Sequence, residues 1–360
     1  PHRMAVGLYD VKNGKLERRK SVELDVSGAR TVIDGLAGET VADLLLINDH
    51  DLTYGKIRFD DNSIGTLKKH LGDIRDSLTR ALCWSAAWDM HRDGELSATD
   101  YAEIVLNALG KENEASVIGA QLVNLETAIE IYSAPANREA LRAKRSAGLY
   151  KLATEAKAGG DEQLALARGF ANGATVADAP KVKEILDGKL AGLAIDTEMR
   201  WALVKSLTER GLFGAAEVEA ELQRDNTADG NRHAAEARAM ISTASSKADT
   251  WKALTTTELS NHIQRHMLIG INRPIQQDLY APYVDLYFSI VKKIWDENSY
   301  EIGKQFADLA FPRFAPTDAN LAKAEKWIAE NADASDGVMR CVKEGRDAMK
   351  RALNAQAADK

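Results

Sequence analysis

The chain has 360 residues, 45% hydrophobic and 28% charged, a composition too apolar for a disordered protein and a length that favours two domains over one. Its net charge of -7 argues against a nucleic-acid partner, which needs a basic face to displace counterions, and its one basic cluster, Arg138, Arg142, Lys144, Arg145 and Lys151, reads as a solvated helix face. Cys83 and Cys341 are far apart and form no C-x-x-C pair, which fits a reducing, cytoplasmic compartment, and no apolar run approaches the roughly 20 residues that span a membrane, so no membrane partner is expected.

Pro1 stands where an initiating methionine is expected, which points to a removed upstream segment unless Met4 is the start behind a short tag. The first sixty residues read as strands. Met4, Val6 and Leu8 alternate with smaller neighbours, Asn13-Gly14 supplies a two-residue hairpin turn, and Leu16 to Val26 continues at period two. Ser27-Gly28 turns the chain, and Arg30–Ile33, Leu44–Ile47 and Tyr54–Phe59 complete five short strands. Such a set predicts a small β-sandwich over residues 1–60.

After Asp60 the period changes from two to 3.6 and stays there. Leu67, Leu71, Ile74 and Leu78 form one helical stripe, and Tyr101, Ile104, Val105 and Leu109 another. Ser97 with Asp100, and Thr255 with Glu258, have the spacing of capping boxes. Recurrent breakers from Gly110 to Pro312 cut the stretch into roughly fifteen helices. So many short helices predict an irregular α-solenoid, an α-α superhelix of HEAT type with a concave face, over residues 61–360. The fold class is therefore mainly α.

Chemistry is sparse. His262 and His266 lie four apart on a predicted helix with Asp285 downstream, the spacing of an H-E-x-x-H zinc peptidase. Ile263, however, stands where that motif has its glutamate, so no general base is present to take a proton from a metal-bound water. There is no nucleophile elbow, Walker loop or dinucleotide fingerprint. Cys83 beside Trp84 reads as an inert buried thiol, and Tyr280, Tyr283, Tyr287, Phe288 and Trp295 read as core.

Several segments resemble one family. Leu45-Leu46-Ile47-Asn48-Asp49-His50-Asp51-Leu52-Thr53-Tyr54, running on to Ile57-Arg58-Phe59-Asp60, resembles the sandwich-to-helix junction of bacterial aminopeptidase N, a zinc metallopeptidase family. Trp84 through Trp88-Asp89-Met90-His91-Arg92-Asp93-Gly94-Glu95-Leu96 resembles a helix end and loop of the same proteins. So do Gln277-Asp278-Leu279 with Pro282-Tyr283-Val284-Asp285-Leu286-Tyr287-Phe288, and Glu344-Gly345-Arg346-Asp347 to Arg351-Ala352-Leu353. The likeness runs in order over nearly the whole chain. It departs at His50, where the family tends to carry an acid, and at Met339 before Arg340, where two arginines are expected.

The resemblance implies an enzyme of four parts: an N-terminal β-domain, a thermolysin-like domain with H-E-x-x-H and a glycine-rich recognition motif, then the two regions present here. In such enzymes the helical domain forms a bowl over the active site, encloses the peptide chamber and gates it. The expectation is an accessory C-terminal region of a zinc-dependent aminopeptidase, itself inactive and without cofactor, zinc belonging to the catalytic domain. Its partners would be that catalytic domain and peptide substrates, with self-association through a bared docking surface. Arg273, Arg340, Arg346 and Arg351 are the candidates for contact with a peptide carboxylate. The rival expectation is a free-standing helical scaffold that binds a peptide or protein on its concave face.

Overall fold

The computed structural model describes residues 1–359. The chain forms two compact units, Pro1–Leu141 with the last residues from Asn354 onward, and Arg142–Leu353. The change of period at residue 60 therefore marks a switch of secondary structure, whereas compactness divides the chain within its later helices.

In the first unit, β1 (His2–Lys12), β2 (Lys15–Val26) and β3 (Leu44–Asp49) make one antiparallel sheet in the order β2-β1-β3. The hairpin turns at Asn13 and Gly14, whose φ values of 51° and 74° are what a two-residue turn matching strand twist requires. Among the described residues the sheet has three strands, not the five of a two-layered sandwich. Arg30–Ile33 forms no strand because the chain closes there on itself: the Thr31 hydroxyl and the Ser27 backbone exchange two 3.1 Å bonds, and a 3₁₀ turn follows at Asp34–Leu36. Tyr54–Phe59 buries Ile57 and Phe59 but pairs with no strand. Its alternation reports which side chains pack, not which backbone groups pair.

Helices α1 (Asp61–His70), α2 (Ser77–Arg92), α3 (Ala98–Ala108) and α4 (Ala115–Thr127) follow, then a π-turn at Ala128–Tyr132 and α5 (Pro135–Glu155). Helices α1 and α2 pack on β3, and Leu44, Leu46, Leu67 and Leu71 are almost wholly removed from water, each contributing about 1.5–3 kcal/mol. Sheet and helix are also joined by a buried carboxylate. Asp49, with no exposed side-chain surface, accepts from the Tyr9 hydroxyl at 2.8 Å and pairs with Arg18 at 3.0 Å. Gly7 makes room for it, since a Cβ there would lie 2.4 Å from Asp49 Oδ2. Tyr9 in turn reaches the Thr79 hydroxyl of α2 at 3.3 Å.

The second unit holds the rest of α5 and then α6 (Asp161–Gly173), α7 (Ala179–Leu186), α8 (Thr197–Glu209), α9 (Ala215–Arg224), α10 (Ala228–Met240), α11 (Ala244–Thr256) and α12 (Asn261–Ile271). After the short α13 (Gln277–Tyr280) come α14 (Tyr283–Glu297), α15 (Tyr300–Leu309), α16 (Asp318–Glu330) and most of α17 (Asp336–Ala358). Helices α6, α8, α10, α12 and α15 pack side by side in succession, while α7, α9 and α11 lie against their sequence neighbours. This is the irregular helical stack that the periodicity predicts, with no strand among the described residues after Asp49. At Gly270 a Cβ would overlap the Glu236 carbonyl oxygen, so only glycine lets α12 lie this near α10. Tyr280, Tyr287 and Phe306 are fully buried in the larger core, and Trp201, Val204 and Val218 centre a second.

Ser97 caps α3 as its spacing predicts, accepting from the Asp100 amide at 3.0 Å. Thr255 and Glu258 do not open a helix. Thr255 is inside α11, its hydroxyl donating to the Trp251 carbonyl at 2.9 Å, and α12 is capped instead by Ser260.

Candidate functional site

The metal-like spacing does not become a metal centre. His262 is exposed, His266 Nδ1 is bonded to Glu236 at 2.7 Å, and Asp285 pairs with Lys323 at 2.7 Å. Among the described residues no three His, Cys, Asp or Glu side chains come together in a way that could hold a metal. The described residues thus do not fit a resident zinc. Burial pushes both thiols up, Cys83 well above its ordinary range and Cys341 to about 12, so neither is a thiolate nucleophile at neutral pH. The aromatic segment is core, as its spacing predicts, with Tyr280 and Tyr287 donating to the Ala310 and Ala307 carbonyls.

Lys144 and Lys151 of the basic cluster on α5 are exposed, but its arginines do not form a solvated face. Arg145 is only 4% exposed and donates to the Gly173 carbonyl at 3.2 Å, while Arg138 donates to the Ser133 carbonyl at 2.9 Å. These arginines satisfy backbone carbonyls near turns and helix ends, a role invisible without the fold.

The four candidate arginines are placed differently. On α17, Arg340 and Arg351 are eleven residues apart, three helical turns, so they share one flank about 16 Å apart along the axis. Arg346 lies about a third of a turn away from that flank and bonds Asp347 at 2.6 Å. Arg340 is exposed, 3.6 Å from Glu344, and Arg351 is exposed as well. Arg273, before Pro274, is largely buried and donates to Glu209 at 2.9 Å.

That contact belongs to a buried polar network of the second unit which sequence reasoning missed. Burial pushes the Glu209 carboxyl up, but the charges of Arg273 and Arg210 outweigh it and hold it below the usual carboxylate range. Burial pulls the Lys247 ammonium down to about 7, opposed by Glu209 and assisted by Arg273. A second chain crosses three helices. His233 meets Glu198 at 3.3 Å, Lys205 meets Glu236 at 3.0 Å, and Glu236 holds His266. Burial pushes the Glu236 carboxyl up, yet its bond to His266 and the Lys205 charge bring it to about 2. Every group here has an internal partner, so the network is built to join helices.

Among the grooves that the described residues open to solvent, two are well formed. One in the second unit, about 700 Å³, is lined by Thr255–Glu258, Gln264, Glu297 and Glu301 at the turns before α12 and α15. The other, about 650 Å³, lies in the first unit between the segment 53–57 and the face of α2 that carries Leu78, Leu82 and Ala86. Its rim is Tyr54, whose side chain is 100% exposed. The loop leading to it has Asn48, His50 and Asp51 at φ of 59°, 76° and 55°, left-handed values that side chains seldom adopt. Asn48 fixes that loop by bonding both the amide and the carbonyl of Thr53, at 3.1 and 2.7 Å. The only sequence signal for this groove was an aromatic residue in a segment that reads as a strand.

The described residues form a helical stack led by a small sheet, and comparison with known proteins identifies its family. Residues 44–351 match the ERAP1-like C-terminal domain, and the chain belongs to that family. It is 41% identical over 367 aligned residues to aminopeptidase N of Streptomyces lividans, an alignment covering 100% of this chain and 42% of that protein. The chain therefore spans less than half the length of the curated relative it matches.

Proposed function

We propose that the chain is the C-terminal accessory region of a zinc-dependent aminopeptidase that removes N-terminal residues from peptides. The observation that carries this reading is the alignment of the entire chain with 42% of an aminopeptidase N, joined to the absence of any metal-holding cluster among the described residues. In this reading zinc and the H-E-x-x-H sequence lie in the remaining part of such a polypeptide, which is this chain's partner. The helical region, residues 61–360, encloses and gates the chamber in which the peptide sits, and residues 1–60 are the small β-domain that leads it. The enzyme works in the cytoplasm, which the two free, buried cysteines support.

Arg340 and Arg351 are the arginines best able to meet a peptide carboxylate, being exposed on one flank of α17. Arg346 and Arg273 would act there only by exchanging Asp347 or Glu209 for the peptide. Two measurements test the proposal. Metal analysis and aminoacyl-substrate assays of the 360-residue chain are expected to find no tightly held zinc and no hydrolysis, and one zinc lost on His262→Ala would overturn this. In the longer polypeptide, alanine at each arginine is expected to raise KM for some peptide lengths, and unchanged KM at every length would remove the arginines from the peptide site. A reading frame without H-E-x-x-H would favour the free-standing scaffold.

A further inference from the structure

We infer that the groove of the second unit, where α11 and α14 end and α12 and α15 begin, binds an alkylammonium group, the charged end of a lysine side chain or of a free aliphatic amine. Its charged lining residues are Glu258, Glu297 and Glu301, and no lysine, arginine or histidine lines it. Glu258 and Glu301 form no ion pair among the described residues. Glu297 lies 3.9 Å from Lys293 with both side chains mostly in solvent, a contact worth little. Glu301 is held in place without a cation, accepting from Gln305 Nε2 at 2.7 Å. The carboxylates do not converge as metal ligands would, which leaves an organic cation as the partner they suit. Leu254 and Ile294, both buried, also line the groove and supply apolar surface for a methylene stem.

A buried side chain gives a second, independent sign. Gln264 is 4% exposed and lines the same groove. Its Nε2 donates to the Ile302 carbonyl at 2.8 Å, which fixes the orientation of the amide and leaves Oε1 with no hydrogen bond among the described residues. That oxygen is not sealed from water, as the unbonded Oε1 atoms of Gln276 and Gln305 are, so it opens on the groove. Three further lining side chains direct a donor inward. The hydroxyls of Thr255 and Thr256 donate to the Trp251 and Lys252 carbonyls at 2.9 and 2.8 Å, and Asn298 Nδ2 donates to the Ile294 carbonyl at 2.9 Å. What this set leaves open is chiefly acceptors, and an ammonium carries three donors and no acceptor.

Helix dipoles do not account for the carboxylates. Two helices end at the groove and two begin there, so their end charges oppose one another and the side chains set its sign. Glu301, in the first turn of α15, suits its own helix, but Glu297 is the last residue of α14, where a carboxylate is disfavoured. At about 700 Å³ the space matches a small-molecule site, with room for an amine and the chain that carries it. All of its residues belong to the second unit, so it would bind whether or not a catalytic part is joined to the chain.

Isothermal titration calorimetry of the 360-residue chain tests this with spermidine, a capped Gly-Lys-Gly peptide, and the same peptide acetylated on its lysine nitrogen. Spermidine, the lysine peptide or both are expected to bind, and the acetylated peptide about tenfold more weakly or worse, because it has lost the charge-assisted bonds. Binding of spermidine alone assigns the site to free amines, and binding of the peptide assigns it to a lysine side chain. Glu258→Gln combined with Glu301→Gln, both at exposed positions that spare the fold, is expected to weaken binding about tenfold or more. Amide hydrogen exchange should slow at residues 254–264 and 297–302 when the amine is added to the unaltered chain, and not in the double variant. No binding of either amine at millimolar concentration, equal binding of the acetylated peptide, unchanged affinity in the double variant, or protection confined to another segment would each overturn the inference.

Discussion

The two ends of the side-by-side helices in the second unit are closed in opposite ways. At their N-termini, α8, α10, α12 and α15 are each capped by an exposed residue next to the first turn: Asp196, Thr227, Ser260 and Ser299, all accepting from the amide three residues on. At their C-termini the last carbonyls are buried and met from far along the chain. Arg210 donates to the Ala174 and Asn172 carbonyls after α6 and at its end, Gln276 to Glu209 of α8 and Met240 of α10, Lys247 to Ala239 and Gly270, and Asn272 to Leu309 and Phe311. These four donors are 7%, 3%, 0% and 1% exposed, so water cannot replace them. One edge of the stack is held by local sequence and the other by tertiary contacts. The difference teaches that the stack's cooperativity resides at the C-terminal edge, where one side chain commonly serves two helices.

If this is right, damage at the two edges should differ severalfold. Arg210→Ala should be the most harmful single change, about 3–5 kcal/mol in denaturant unfolding, because it leaves two carbonyls bare and takes a cation from buried Glu209. A loss under about 1 kcal/mol would place Arg210 among ordinary surface ion pairs. Gln276→Ala comes next, at about 2–3 kcal/mol, since the carbonyls of Glu209 and Met240 lose their donor together. Thermal unfolding of the variant checks it, and an unchanged midpoint would mean that water reaches this edge.

Lys247 makes the same edge sensitive to pH. Its amine titrates near 7 in the fold against 10.5 when unfolded, so between those values the unfolded chain binds the extra proton and stability rises with pH. Below about pH 7 the folded amine is charged as well and that gain is gone. Unfolding free energy should therefore climb by on the order of 2 kcal/mol from about pH 7 to about pH 9. Lys247→Met should flatten the climb, and a parallel climb in the variant would assign it to other groups. The smallest effect is expected at the opposite edge, where Thr227→Ala or Ser260→Ala should cost about 1 kcal/mol each, additively. Losses there equal to that of Arg210→Ala would abolish the distinction between the edges.

Much of this was open to reading in the letters. The Asn13-Gly14 turn, the Ser97 cap and the apolar stripe of α3 are consequences of neighbours within four residues of one another, and they formed as predicted, whereas the stripe Leu67, Leu71, Ile74 and Leu78 is split between α1, a 3₁₀ turn and α2, with Leu78 exposed. The candidate groove was not legible, because Tyr54–Phe59 has the alternation of a strand whether or not a partner strand exists. The arginines of α5 were misread for the same reason, since nothing near Arg145 in sequence announces the Gly173 carbonyl that it meets.

By itself, then, the sequence determined the hairpin turn at Asn13-Gly14, the start of α3 at Ser97 and its apolar face, and that no zinc peptidase motif is complete, since each depends on short-range spacing. Only the tertiary structure decided how the helices end. Lys247 finds Gly270, and Gln276 finds Glu209 and Met240, across 23, 67 and 36 residues of chain. A carbonyl at a buried helix end must be paired with some donor, but its own sequence does not say which, and only the packing of neighbouring helices brings that donor within reach.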